Sequence, residues 1–199
     1  MASQSRVWAL PGEPAVVRLM NTIWADTAGI HDDLGSAAAL HDWIAAVTDR
    51  KRVKVGVPSS EDLADALRLR DALRRLAAFC TEDPRENASG PIETAEEAVD
   101  AVNAVAARRA PDQLTLRDGH LERHQADIGT EVSSTLADLA QQAIDLLTGP
   151  SATKLRACPA PSCVLYFVQS HPRREWCSDA CGNRARAARH YRRVRSGKR

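Results

Sequence analysis

Long hydrophobic runs are missing from this sequence. No window of its 199 residues approaches the 18 or more apolar residues of a membrane-spanning helix, and the N-terminal MASQSRVWALPGEP lacks the apolar core of a secretory signal. The expectation is a cytoplasmic protein without membrane contact. A reducing compartment disfavours structural disulfides, so clustered cysteines there are better read as metal ligands or catalytic thiols. Also absent are internal repeats, a glycine-rich phosphate loop, a Ser-His-Asp order and a convincing pair of catalytic carboxylates. No catalytic residue is assigned, and the chain is not expected to be an enzyme. A hydrophobic content of 44% with 27% charged residues excludes wholesale disorder, and the length allows one sizeable core plus a small appended module.

Acidic residues are scarce near the end of the chain. Residues 151–199 carry twelve Lys and Arg against Glu175 and Asp179, a net charge of +10, while residues 1–150 carry fifteen basic against twenty-four acidic residues, or −9. Such asymmetry suggests that the basic part meets a polyanion.

The first 150 residues read as mainly helical. Leu40, Trp43, Ile44 and Val47 recur at helical spacing between Ser36 and Thr48. Ser59-Ser60-Glu61-Asp62 is a helix start, and Leu63, Ala66, Leu67, Leu73, Leu76, Ala77 and Cys80 continue one apolar stripe, with Cys80 expected as a buried core thiol. Further helices are expected from about Thr94 to Arg108 and from about Thr130 to Leu147. Between them Leu114, Leu116 and Leu121 alternate with polar residues around Asp118-Gly119, which suits a type I′ turn and puts Leu116 opposite Leu121 in a short hairpin. Gly149-Pro150-Ser151 then reads as a hinge, dividing a helical domain over residues 1–150 from a small unit over 151–199.

Four of the five cysteines lie in that unit. Cys158 and Cys163 enclose Pro-Ala-Pro-Ser, Cys177 and Cys181 enclose Ser-Asp-Ala, and thirteen residues separate the pairs. Two short cysteine pairs supply the four soft donors of tetrahedral zinc, and four thiolates close its coordination sphere, which suits one structural ion rather than a catalytic one. Val164 to Val168 read as a strand, His171-Pro172 as a turn and Asp179 to about Val194 as a helix, an order like that of a treble-clef finger.

On that helix Ala180, Ala187, Tyr191 and Val194 are expected to face its support. Arg186, Arg189, His190 and Arg193 fall at i, i+3, i+4 and i+7 on another face, flanked by Arg192 and Arg195. Guanidinium groups engage phosphates bidentately, so this ridge suits DNA. The other reading is a zinc-stapled interaction module whose basic finger docks on an acidic protein surface, its own N-terminal domain included. A homodimer would duplicate the single basic helix. Trp8, Trp24 and Trp43 are expected in the core, where with Asn21 they could line a pocket for a small effector; His31, His41, His120 and His124 form no ligand spacing.

Arg174, Trp176-Cys177 and Cys181-Gly182-Asn183-Arg184 match the signature of the CGNR zinc-finger proteins, bacterial regulators in which this finger follows a helical ABATE domain. Leu19-Met20-Asn21-Thr22 and Asp42-Trp43 resemble the corresponding N-terminal motifs, so the resemblance covers nearly the whole chain. It implies a zinc-binding, DNA-binding regulator. Within the signature, Gly182 would let the backbone pass close to the cysteines, Asn183 would bond across the loop, and Arg184 would donate to a thiolate or carbonyl and rank last among the phosphate contacts.

Overall fold

The computed structural model describes residues 10–47, 56–85, 90–125 and 129–196. Among these residues six α-helices and three antiparallel strand pairs follow one another: α1 (Ala15–Met20), β1 (Ile23–Ala25), β2 (Ile30–Asp32), α2 (Ala37–Val47), α3 (Ser60–Cys80), α4 (Ala95–Ala106), β3 (Asp112–Arg117), β4 (His120–Gln125), α5 (Glu131–Thr148), β5 (Leu155–Ala157), β6 (Tyr166–Val168) and α6 (Asp179–Ser196). The mainly helical class with short strands is as the periodicity predicts.

The helix starts follow from side-chain caps. Ser59 closes a capping box with Asp62, each satisfying the other's backbone N–H, and Thr94 and Thr130 accept from the amides of Glu97 and Ser133. Asp118 and Gly119 both take positive φ, at 50° and 80°, so β3 and β4 pair with Leu116 opposite Leu121 as the alternation requires.

α3 is the central element, packed against α1, α2, α4, α5 and β5. Being covered on most sides, it buries more than one stripe: Leu69, Ala72 and Leu73 with Arg70, Asp71 and Arg74. The charges persist there because they are paired, Arg70 with Asp32 and Asp71. Cys80 departs from expectation. It is exposed, because the last turn of α3 runs past the core and leaves Phe79 65% exposed beside it.

Beyond α5 the chain does not swing free. Ala152 N donates to Gly149 O and Lys154 N to Ser151 O in a tight 3-10 turn, and Leu155 next to it is buried in the same core as α1 and α3. Tyr166 on β6 joins that core, and Asn21 fixes it there: its side-chain amide donates to Tyr166 O at 2.8 Å and accepts from Tyr166 N at 2.9 Å, as a neighbouring strand would.

Candidate metal centre and basic helix

The connection between β5 and β6 carries the first cysteine pair. Cys158 N donates to Leu165 O and Cys163 N to Ala160 O, while Ser162 turns the chain through a φ of 58°. Cys177 precedes α6 and Cys181 lies in its first turn, so the second pair sits at a helix N-terminus, where the dipole favours thiolate. All four cysteines are buried, and their Sγ atoms lie within 4.8 Å of one another. Sγ separations are 3.4 Å for Cys177 and Cys181, 3.8 Å for Cys181 and Cys163, and 3.9 Å for Cys163 and Cys177. A regular tetrahedron with zinc–sulfur bonds of about 2.3 Å has edges of about 3.8 Å, whereas a disulfide needs about 2.05 Å. These are the spacings of a four-thiolate zinc site, and the cysteines fit one ion.

Crowded thiols share protons unequally. Hydrogen bonding with Cys158, then Cys163 and Cys177, draws the Cys181 thiol below the ordinary range; Cys163, then Cys177, takes Cys158 down to about 7. Cys163 and Cys177, each through Cys158 first, are raised. A bound zinc ion would replace all these protons, leaving four thiolates around two positive charges.

Three arginines hold the ligand backbone and one sulfur. Arg85 Nη1 donates to Cys163 O at 2.8 Å and to Cys158 O at 3.2 Å; Arg174 Nη2 donates to Cys177 O at 2.9 Å; Arg184 Nη2 donates to Cys181 Sγ at 3.1 Å. The first two are anchored by acids from the N-terminal part. Arg85 pairs with Asp83 at 2.5 Å, and Arg174 with the buried Glu13 at 2.7 Å, whose other oxygen accepts from Val168 N. Tyr166 Oη donates to Asp83 at 2.8 Å, and Arg74 donates to both Met20 O and Val164 O. Burial pushes Asp83 up, but hydrogen bonds from Arg85 and Tyr166 outweigh it and hold the carboxyl below the usual range; burial, then Asp83, pushes Tyr166 up to about 12.

Of the signature residues Arg184 donates to a thiolate as expected, whereas Asn183 does other work. Gly182 makes room for Trp176, since a Cβ there would sit 3.1 Å from its ring. Asn183 is exposed and accepts from Arg186 at 2.7 Å along the helix, not across the loop. Arg186 and Arg189 lie over the Trp176 ring at 5.5 and 5.7 Å, and Arg192, Arg193 and Arg195 are exposed further along. Ala180, Ala187, Tyr191 and Val194 are also exposed; the finger's small core ends at Ala185 and Trp176, and α6 carries the last three beyond it. Among the described residues none of these helix arginines pairs with a carboxylate. The other candidates scatter: Trp43 is buried, Trp24 stacks on His31 at 4.1 Å, Asn21 is spent on Tyr166, and Trp8 lies outside the described residues. A groove opens between residues 80–85 and 155–164. The four N-terminal histidines enter no metal-ligand cluster among the described residues.

A helical domain whose end grips a four-cysteine metal centre is the class that fold and site define. The profile of the ABATE family, described as "Putative stress-induced transcription regulator", matches residues 13–150, and the CGNR zinc finger matches residues 154–194. The chain belongs to the ABATE family and carries a CGNR zinc finger behind that domain. Neither family is an enzyme family. A comparison with curated proteins finds no match. Among the described residues no helix is long and apolar enough to cross a membrane.

Proposed function

We propose that this protein is a cytoplasmic, DNA-binding transcription regulator in which Cys158, Cys163, Cys177 and Cys181 hold one structural zinc and α6 meets nucleic acid. The reading takes residues 1–150 as the regulatory domain and 151–199 as a treble-clef finger. The observation that carries it is the division of labour among arginines. Docking of the finger on the acidic domain uses Arg85 with Asp83 and Arg174 with Glu13, which leaves the α6 ridge to face solvent. Arg189, Arg192 and Arg193 are the leading phosphate contacts, with Arg186 beside them and Arg184 engaged at Cys181. Each phosphate neutralised contributes about −0.9 to the slope of log affinity against log salt, so a ridge of this kind has a steep slope.

The test is fluorescence anisotropy of the full zinc-loaded chain with random duplex DNA at low and raised salt. Binding that weakens steeply with salt, with the slope reduced by about 0.9 for each of Arg192→Ala and Arg193→Ala, supports the reading. Undetectable binding at low salt rejects it and leaves the docking of the basic finger on an acidic protein surface as the better account.

A further inference from the structure

Two arginines of the α6 ridge are held in place without being neutralised. Arg186 and Arg189, neighbours at i and i+3 on the helix, carry their guanidinium carbons 5.5 and 5.7 Å from the centre of the Trp176 ring, with no carboxylate paired to either among the described residues. Asn183 steers Arg186 further, its side-chain oxygen accepting from Nη2 at 2.7 Å. The ring itself is placed from two sides. Its backbone belongs to the metal loop: Trp176 directly precedes Cys177, and Arg174 donates to the carbonyl oxygens of both, at 3.3 and 2.9 Å. Its face lies against Gly182, where a Cβ would stand 3.1 Å from the ring and 3.5 Å from Arg186 Nη1, so ring and guanidinium share space that bare backbone leaves open.

We propose that Trp176 is a positioning residue for nucleic acid, holding Arg186 and Arg189 ready for phosphate, a role that rests on the DNA-binding reading of α6. Elsewhere the chain fixes its arginines with acids: Arg70 with Asp32, Arg85 with Asp83 and Arg174 with Glu13. Such a partner cancels the charge and competes with phosphate for the same donors. An indole face attracts the cation through its ring quadrupole and cancels nothing. Ordering a long side chain during binding costs affinity, and a guanidinium already laid on a fixed ring has given up much of that freedom in the free protein. Arg192 and Arg193, one turn further along, are exposed and have no ring contact among the described residues, so they are the internal comparison.

The opposite arrangement, in which the arginine stems merely cover a half-buried tryptophan, leads to a different outcome. Fluorescence anisotropy of the full zinc-loaded chain with random duplex DNA separates the two through a double-mutant cycle. Trp176→Leu should weaken binding about tenfold with one zinc per chain retained, and should change the salt slope by less than the roughly 0.9 that loss of one phosphate contact brings. Trp176→Phe, which restores a weaker ring face, should leave a loss of about threefold. In an Arg186→Ala, Arg189→Ala background Trp176→Leu should cost less than twofold, whereas in an Arg193→Ala background it should cost its full tenfold.

A loss that persists undiminished without Arg186 and Arg189 would overturn the proposal, as would Trp176→Leu binding within twofold of wild type. If Trp176→Leu does not load zinc, the same cycle with Trp176→Phe decides: a loss below twofold, or one that persists in the absence of both arginines, overturns it equally. A wild-type chain that binds no duplex at low salt defeats the DNA-binding reading itself, so the two failures are told apart.

Discussion

Replacing Arg85 by methionine should separate the grip on the zinc loop from the loop's own sulfurs. The Arg85 side chain carries four hydrogen bonds, two to Asp83 and two to the carbonyls of Cys158 and Cys163, and its guanidinium lies 5.1 Å over the ring of Tyr166. The substitution leaves Asp83, whose side chain is shut off from solvent, with Tyr166 as its remaining side-chain donor, and breaking a buried pair in this way costs roughly 3–5 kcal/mol. It also frees two carbonyls on the segment that aims the first cysteine pair. Bonds to a charged donor contribute about 1.5–3 kcal/mol each, and a share of about 1.4 kcal/mol felt at the metal is a tenfold loss of affinity. Arg85→Met should therefore bind zinc about 10–100-fold more weakly in competition with a chromophoric chelator, the range expected for groups that orient ligands. The double variant Asp83→Asn with Arg85→Met removes the uncompensated charge. It should recover most of the lost melting temperature and little of the lost zinc affinity. A folded Arg85→Met protein that competes for zinc within twofold of wild type would refute the reasoning.

Chelation under reducing conditions should release one zinc per chain and lower the melting temperature sharply, since structural zinc contributes on the order of 10 kcal/mol; metal analysis that finds no stoichiometric ion would sink the assignment. Gly182→Val should cost about 1–3 kcal/mol, read as a lower melting temperature, because it adds two further carbons where a Cβ alone already stands 3.1 Å from the Trp176 ring; an unchanged melting temperature would show that Trp176 is not held there. Stability should also depend on pH through the junction. Asp83 is more acidic folded than unfolded, so its contribution is complete above about pH 4 and fades as the pH falls below, and Asp83→Asn should flatten that limb. Tyr166, less acidic folded than unfolded, stabilises below about pH 10 and loses its contribution as the pH rises towards about 12, a limb that Tyr166→Phe should remove in thermal melts.

The metal centre was legible because zinc constrains spacing directly: two short cysteine pairs can be recognised without knowing what surrounds them. The long helices were legible for a similar reason, since caps such as Ser59 with Asp62 and stripes such as that of α5 are local. The register of Leu116 with Leu121 followed from a two-residue turn. What escaped was the junction. Asn21 meets Tyr166 across 145 residues and Arg174 meets Glu13 across 161, and nothing local marks a glutamate or an arginine as buried rather than solvated. The buried charges of α3 escaped for the same reason, because an apolar stripe predicts one covered face and not a helix covered on several. On α6 the alanines with Tyr191 and Val194 imitate a buried stripe, but the element that would cover them is missing among the described residues. The pair β1 with β2 and the strand β5 are three residues each, too short to leave a period, while β6 fell within the strand read over Val164 to Val168.

The shared core at Leu155 and Tyr166 bears on how this finger can be handled. Cutting the chain between Gly149 and Ser151 would not set it loose, since Asn21, Arg74 and Asp83 would still clasp the severed piece. Nor is it a cassette to be grafted. Moved to another scaffold, residues 154–194 would take with them carbonyls and a tyrosine whose partners had stayed behind, and a recipient would have to rebuild that socket before the metal could sit as firmly.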